Sequence, residues 1–219
     1  MLDTFSLAAP GSMPEPFRLP RLYAIVDASR CSGTRAICAF AEALAASGVS
    51  LIQYRNKTGA ACQILAEANA LRQALGTTSK LIMNDRADLC RLAGFDGLHL
   101  GQDDLSPESA RRIVGARLWL GLSTHHGGQI GVASRTSANY LAIGPVFETG
   151  SKINPDPVIG LEGVRRARSL TTKPLVAIGG ITRANCRQVI EAGADSVAVL
   201  SDLLVNPRES AGDFLRILR

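Results

Sequence analysis

Eight short apolar, β-branched runs recur along the chain, each followed by an amphipathic or Ala/Leu-rich stretch. This alternation constrains the fold more than any other feature of the sequence. The strand candidates cover 22–27, 51–55, 80–85, 97–100, 119–123, 140–144, 174–179 and 196–200. Helical stretches at 33–47 and 60–75 fall between them, with another introduced by Ser106-Pro107-Glu108 and one at 182–192 that runs into Gly193. Ser106 offers an N-cap with Pro107 in the first turn, Thr182 offers a further cap, and Gly193 offers a C-terminal stop. Strands alternating with helices at this spacing predict βα units on a parallel sheet. Eight such units with no second compositional zone predict an α/β fold, a single-domain (β/α)8 barrel of the TIM type, over 21–219. An open doubly wound sheet is the competing arrangement, and no G-x-G-x-x-G follows the first strand to favour it. Residues 1–20 hold four prolines and no usable periodicity, so they are expected to form a flexible N-terminal tail.

With 219 residues, 46% of them hydrophobic, the chain is long enough to fill one closed core. The net charge of +5 is spread thinly, its longest basic runs being pairs such as Arg111-Arg112 and Arg165-Arg166. Only 5% of residues are aromatic. A nucleic-acid binder would show a basic stripe interleaved with aromatics, so small anionic substrates are the expected partners instead. The five cysteines form no C-x-x-C pair and are expected to act as small packing residues rather than a disulfide framework or zinc site. No apolar run reaches membrane-spanning length and no basic residue precedes Arg18, which excludes a membrane partner and makes the cytoplasm the expected location.

In a barrel of this kind the working residues sit at the carboxyl ends of the strands. The second strand runs Gln53-Tyr54-Arg55-Asn56-Lys57, and a side-chain period of two puts Gln53, Arg55 and Lys57 on one face. Two cations there are costly to bury without an anion to meet them, which suggests a phosphate or diphosphate clamp; a strand end fraying into solvent is the plainer alternative. The third strand ends Asn84-Asp85 and the fourth leads into Gln102-Asp103-Asp104. Asp85 and Asp104, on adjacent loops, suit a hard cation such as magnesium, although Asp104 could partly cap the helix after Ser106. Ser123-Thr124-His125 follows the fifth strand. The loop after the sixth carries Glu148, Thr149, Gly150, Ser151 and Lys152, a candidate second anion contact. Gly179-Gly180 and Leu200-Ser201 end the last two strands, where such barrels commonly bind phosphate on backbone amides. His99, within the fourth strand, is expected to be a hydrogen-bonded interior residue, and His125 receives no catalytic role.

Five segments together, 53–57, 84–88, 97–104, 121–125 and 177–181, resemble the ordered motif series of the thiamine phosphate synthase family. The resemblance runs from about Leu22 to Leu204. It implies a magnesium-dependent transferase, often a homodimer, that condenses hydroxymethylpyrimidine diphosphate with a thiazole phosphate, carboxylated or not. Thiamine phosphate and diphosphate are the products, and diphosphate departs by a dissociative path. Carried to matching positions, Gln53, Arg55, Lys57 and Asn84 would bind the pyrimidine diphosphate, and Asp85 and Asp104 would hold the metal. Ser123 would meet the pyrimidine and Lys152 the diphosphate. Thr149, Ser151, Gly180, Leu200 and Ser201 would contact the thiazole phosphate. Arg55, Lys57, Ser123 and Lys152 are the expected catalytic residues. The sequence departs from the family loop at Glu148, where a proline is usual, and at Ile153, where a second lysine is usual; affinity is the property these departures touch. The competing activities are a thiazole tautomerase-like isomerase and a non-catalytic phosphate-binding regulator of the same fold. The first would need a base in place of a diphosphate clamp, and the second would be expected to lack the two aspartates.

Overall fold

A computed structural model describes residues 18–150 and 156–219. Eight parallel strands close into a barrel in chain order: β1 Leu22–Asp27, β2 Leu51–Arg55, β3 Lys80–Asn84, β4 Gly97–Leu100, β5 Trp119–Thr124, β6 Tyr140–Ile143, β7 Leu175–Ile178 and β8 Ser196–Val199. The closing pair is β1 with β8, where Tyr23 lies opposite Ala198. Helices α1 Thr34–Ala46, α2 Ala61–Leu75, α3 Ala87–Leu92, α4 Pro107–Val114, α5 Gly127–Ala133, α6 Gly160–Ser169, α7 Cys186–Glu191 and α8 Pro207–Ile217 alternate with the strands. The expected (β/α)8 architecture is therefore the observed one.

The strands have two buried faces, as a parallel sheet with helices outside requires. Along β1, Leu22, Ala24 and Val26 enter the core shared with the helices, whereas Tyr23 and Ile25 point into the barrel. The interior layer is completed by Leu51, Ile82, Tyr140, Ala142, Val176 and Ala198. Outside, α1 buries Ile37, Phe40, Ala41 and Leu44, the stripe of a 3.6-residue period. Gly121 makes room for a large interior side chain: a Cβ there would fall on the Tyr140 ring.

Several sequence boundaries move by a residue or so. Strand β3 ends at Asn84 because Asp85 takes a left-handed conformation, φ 61°, which leaves the extended region. Likewise β7 stops at Ile178 before Gly179, φ 101°. Strand β5 extends one residue further than expected, through Thr124. The Ser106 cap is present, its hydroxyl accepting from Ser109 N–H at 3.2 Å. The Thr182 cap is corrected: α7 starts only at Cys186, and a turn precedes it in which Thr182 N–H donates to Asn185 Oδ1 at 2.8 Å. The amide of Asn185 satisfies the chain locally and delays the helix. Of the five cysteines, all free, Cys90 and Cys186 are buried packing residues, but Cys62 is exposed on α2. The expected N-terminal tail falls almost wholly on residues outside those described.

Candidate active site

The carboxyl ends of the strands surround a cavity of about 730 Å³, within the range of small-molecule sites. Gln53, Arg55, Lys57, Asn84, Asp85, Asp104, Ser123, Thr149, Gly180, Leu200 and Ser201 all line it. Ser151 and Lys152 lie outside the described residues. Local folding at β2 explains the first group. Tyr54 faces outward and its hydroxyl donates to the buried Glu67 of α2, which also accepts from Asn56 Nδ2 at 3.0 Å and Gln63 Nε2 at 2.9 Å. Asn56 Oδ1 then accepts from Gly59 N–H at 2.8 Å, folding the loop that carries Lys57 over the cavity.

The charge balance corrects one premise of the sequence reading. Arg55 and Lys57 do not wait for an anionic ligand, because the protein supplies their counterions. The Arg55 guanidinium pairs with the buried Asp27 carboxylate, and Lys57 Nζ lies 2.5 Å from Asp85 Oδ2. Burial first, and contact with the Asp104 carboxylate second, push the Asp85 carboxyl above its ordinary range, against the opposing pull of Lys57. Asp104 is not a helix cap; its Oδ2 accepts from Gly101 N–H at 2.6 Å and closes the turn after β4. Asn84 Nδ2 is buried with no hydrogen-bond partner among the described residues, a donor left for something the cavity receives.

Among the described lining residues, seven carboxylates face two cations, Arg55 and Lys57. Three of these carboxylates are paired, Asp27 with Arg55, Asp85 with Lys57 and Asp202 with Arg183. Asp85 and Asp104 are in mutual contact and repel, which a divalent cation between them would relieve. Two carboxylates without a third His, Cys or acidic ligand among the described residues form an incomplete cage, the donor set that magnesium tolerates because substrate phosphate oxygens and water fill the remainder. The residues fit magnesium.

The floor of the cavity is a polar chain inside the barrel. Gln53 Nε2 donates to Tyr23 Oη at 2.8 Å, the Tyr23 and Tyr140 hydroxyls lie 3.0 Å apart, Tyr140 Oη is 3.1 Å from His99 Nδ1, and His99 Nε2 is 2.9 Å from Ser123 Oγ. His99 is thus the interior hydrogen-bonded residue expected. Burial lowers its pKa to about 4, from 6.5. The folded state then resists a proton that the unfolded chain accepts. Its contribution is complete above pH 6.5 and is lost as the pH falls towards 4, a span of about 3 kcal/mol at roughly 1.4 kcal/mol per unit. Urea unfolding at pH 7.5 and 4.5 is expected to show a larger acid loss of stability in the native protein than in His99→Gln.

At the opposite rim, Gly179 and Gly180 serve the adjoining loop. A Cβ on Gly179 would lie 2.6 Å from Pro145 Cα, and one on Gly180 2.7 Å from Phe147 Cβ. Loop and strand are pinned by Val146 N–H to Ile178 O at 2.9 Å and Phe147 N–H to Gly179 O at 3.0 Å. The expected amides of a helix N-terminus are partly committed elsewhere: Thr182 N–H to Asn185, and Arg183 N–H to Asp202 Oδ2 at 2.8 Å. His125 holds the same loop, donating from Nδ1 to Gly144 O at 2.7 Å with Asp156 3.4 Å away.

Sequence reasoning missed Asp27, Tyr23 and Tyr140. Asp27 carried a usable signal, an acidic residue at the end of the first strand. The two tyrosines carried none, since an aromatic in a strand reads as packing until the closed barrel brings both hydroxyls to one point.

Fold and site together define a (β/α)8-barrel protein with a polar, charge-lined cavity at the carboxyl ends of its strands. A sequence profile described as thiamine monophosphate synthase matches residues 22–203. The chain is 58% identical over 210 residues to a thiamine-phosphate synthase of Koribacter versatilis, covering 94% of this chain and 99% of that one. It is 39% identical over 202 residues to one from Agrobacterium fabrum, covering 89% and 91%. The solved thiamine phosphate pyrophosphorylase of Pyrococcus furiosus superposes with a TM-score of 0.81 at 29% identity, over 90% of this chain and 95% of that one. The chain belongs to the thiamine monophosphate synthase family, and it is a transferase.

Proposed function

We propose that the protein joins hydroxymethylpyrimidine diphosphate to a thiazole phosphate, releasing diphosphate and forming thiamine phosphate. The observation that carries this is the convergence of Gln53, Arg55, Lys57, Asn84, Asp85, Asp104 and Ser123 on one cavity. In the reaction the bond between the pyrimidine methylene carbon and the diphosphate oxygen breaks, and its electron pair leaves with the diphosphate. The aminopyrimidine ring delocalises the positive charge, and the thiazole nitrogen lone pair then forms the new carbon–nitrogen bond. No proton is transferred.

Arg55 and Lys57 stabilise charge growing on the leaving group from positions already fixed by Asp27 and Asp85, so little reorganisation accompanies the reaction. Lys152 adds a further cation. Asp85 and Asp104 would hold magnesium, which supplies a Lewis acid for the diphosphate oxygens. Gln53 and Ser123 orient the pyrimidine, Asn84 donates to the first substrate, and Thr149, Ser151, Gly180, Leu200 and Ser201 seat the thiazole phosphate. Holding both partners at attack distance lowers the entropic barrier by up to about 7–11 kcal/mol. A proton-moving isomerase fits less well: His99 has both ring nitrogens bonded, and Nδ1 of His125 is committed to Gly144.

The reading includes a homodimer and a cytoplasmic location; among the described residues no helix is long and apolar enough to cross a membrane. Diphosphate release by purified protein is expected to require both substrates and magnesium, and to stop with a chelator. Conversion of the thiazole phosphate alone, without diphosphate release, would establish an isomerase instead. Binding of both substrates with no turnover would establish a regulator.

A further inference from the structure

The chain of side chains under the cavity has a direction, and that direction bears on substrate recognition. Its five members come from five strands: Gln53 of β2, Tyr23 of β1, Tyr140 of β6, His99 of β4 and Ser123 of β5. The first four are at most 7% exposed, so their protons are exchanged mainly among themselves. Each tyrosine hydroxyl has one proton to give. Among the described residues His99 forms no ion pair, and burial outweighs the pull of the nearby Asp104 charge, so its ring is neutral and has one N–H.

These constraints make the links interdependent. If Gln53 donates to Tyr23, Tyr23 donates to Tyr140, Tyr140 donates to His99 Nδ1, and the imidazole proton sits on Nε2 and faces Ser123. Ser123 Oγ is then an acceptor towards His99, and its own proton is available to the cavity. Turning the Gln53 amide over reverses every link: Ser123 gives its proton to His99 and presents only lone pairs. Intermediate mixtures leave a buried hydroxyl facing another proton or an acceptor facing an acceptor, each costing about 1–3 kcal/mol.

We propose that Tyr23, Tyr140 and His99 are positioning residues, forming a polarised hydrogen-bond chain through which Gln53 fixes Ser123 as a hydrogen-bond donor to the pyrimidine ring. The inference rests on the function proposed above. An aminopyrimidine has a single donor, its amino group, and two ring nitrogens that only accept. A Gln amide pairs with the amino group and the adjacent nitrogen through its acceptor and one N–H. The other ring nitrogen then needs a donor, which Ser123 provides in only one of the two directions. Recognition at the two ends of the floor is therefore one event rather than two.

The chain is tested first without substrate, by the ring ¹⁵N shifts of His99 in the intact protein. The native protein is expected to protonate Nε2, and a proton on Nδ1 there would overturn the proposal. In Gln53→Glu the introduced carboxylate accepts from Tyr23, so the His99 proton is expected to move to Nδ1 as that group ionises between about pH 6 and 9. In Gln53→Glu/Tyr23→Phe the link is cut and no movement is expected. A proton that stays on Nε2 in the single variant, or moves equally in the double one, would overturn the coupling. Binding supplies the second readout. Tyr140→Phe is expected to weaken the pyrimidine alcohol about tenfold, the scale of one hydrogen bond. The same substitution should leave unchanged the affinity for an analogue with carbon in place of the Ser123-facing ring nitrogen. Equal weakening of both ligands would mean a merely structural role. If the native protein binds neither ligand, the functional reading fails while the His99 measurement still decides the chain.

Discussion

Asp85→Ala is expected to lower turnover about a thousandfold at saturating magnesium, while His125→Ala stays within about tenfold, in line with the loss of one electrostatic contact to a charged transition state. Asp85 is tied to the chemistry twice. On the proposed reading its carboxylate helps hold magnesium, and it fixes Lys57 at 2.5 Å. Truncation therefore removes one donor of a two-carboxylate set and releases a cation from the cavity wall together. Lys152→Ala is expected to fall in the same class, since on the proposed reading it removes a cation that offsets charge on the leaving group. His125 braces the loop after β6 through Gly144 and lies beside Asp156, so its loss loosens contacts of that loop and removes neither Arg55 nor Lys57 from the cavity. Steady-state assays on variants checked for native thermal unfolding decide the matter. A folded but inactive His125→Ala, beside an active Asp85→Ala, would overturn the proposed scheme.

The second large effect is structural. Gly121→Ala is expected to lower stability by about 3 kcal/mol, the upper part of the range for overpacking a dense core. At 2–4 °C per kcal/mol for a domain of this size, melting should fall by roughly 6–12 °C. The added Cβ would overlap the Tyr140 ring, which is fully buried and held by Tyr23 and His99, so the ring has nowhere to turn. The substitution should cost much less in a Tyr140→Leu background, where the overlapping ring atoms are gone. Calorimetry of the four proteins measures the coupling; equal losses in both backgrounds would show that the Gly121 requirement lies elsewhere.

Most of the cavity was legible in the chain because strand ends and side-chain periodicity are local properties. Gln53 and Arg55 share a face by the two-residue repeat of β2 and do line the cavity, and Lys57 joins them from the loop that follows. Asp85 and Asp104 end adjacent units and do meet. What was misread involved partners distant in sequence. The need of Arg55 and Lys57 for an anion was attributed to a ligand, yet Asp27 on the neighbouring strand and Asp85 beyond the next already satisfy it. Gly179 and Gly180 line the cavity, and their lack of a Cβ also lets the loop after β6 pack against them, a contact no local pattern announces.

The sequence by itself determined the number and order of the βα units and the strand ends that carry polar residues. Hydrophobic periodicity acts over a few residues and needs no knowledge of the closed form. Tertiary structure alone decided which charges neutralise one another, and joined Gln53, Tyr23, Tyr140, His99 and Ser123 into one chain. Closure of the sheet brings the interior faces of β1, β2, β4, β5 and β6 within hydrogen-bond distance across the barrel. A proton shared among groups up to 117 residues apart has no counterpart in any local pattern.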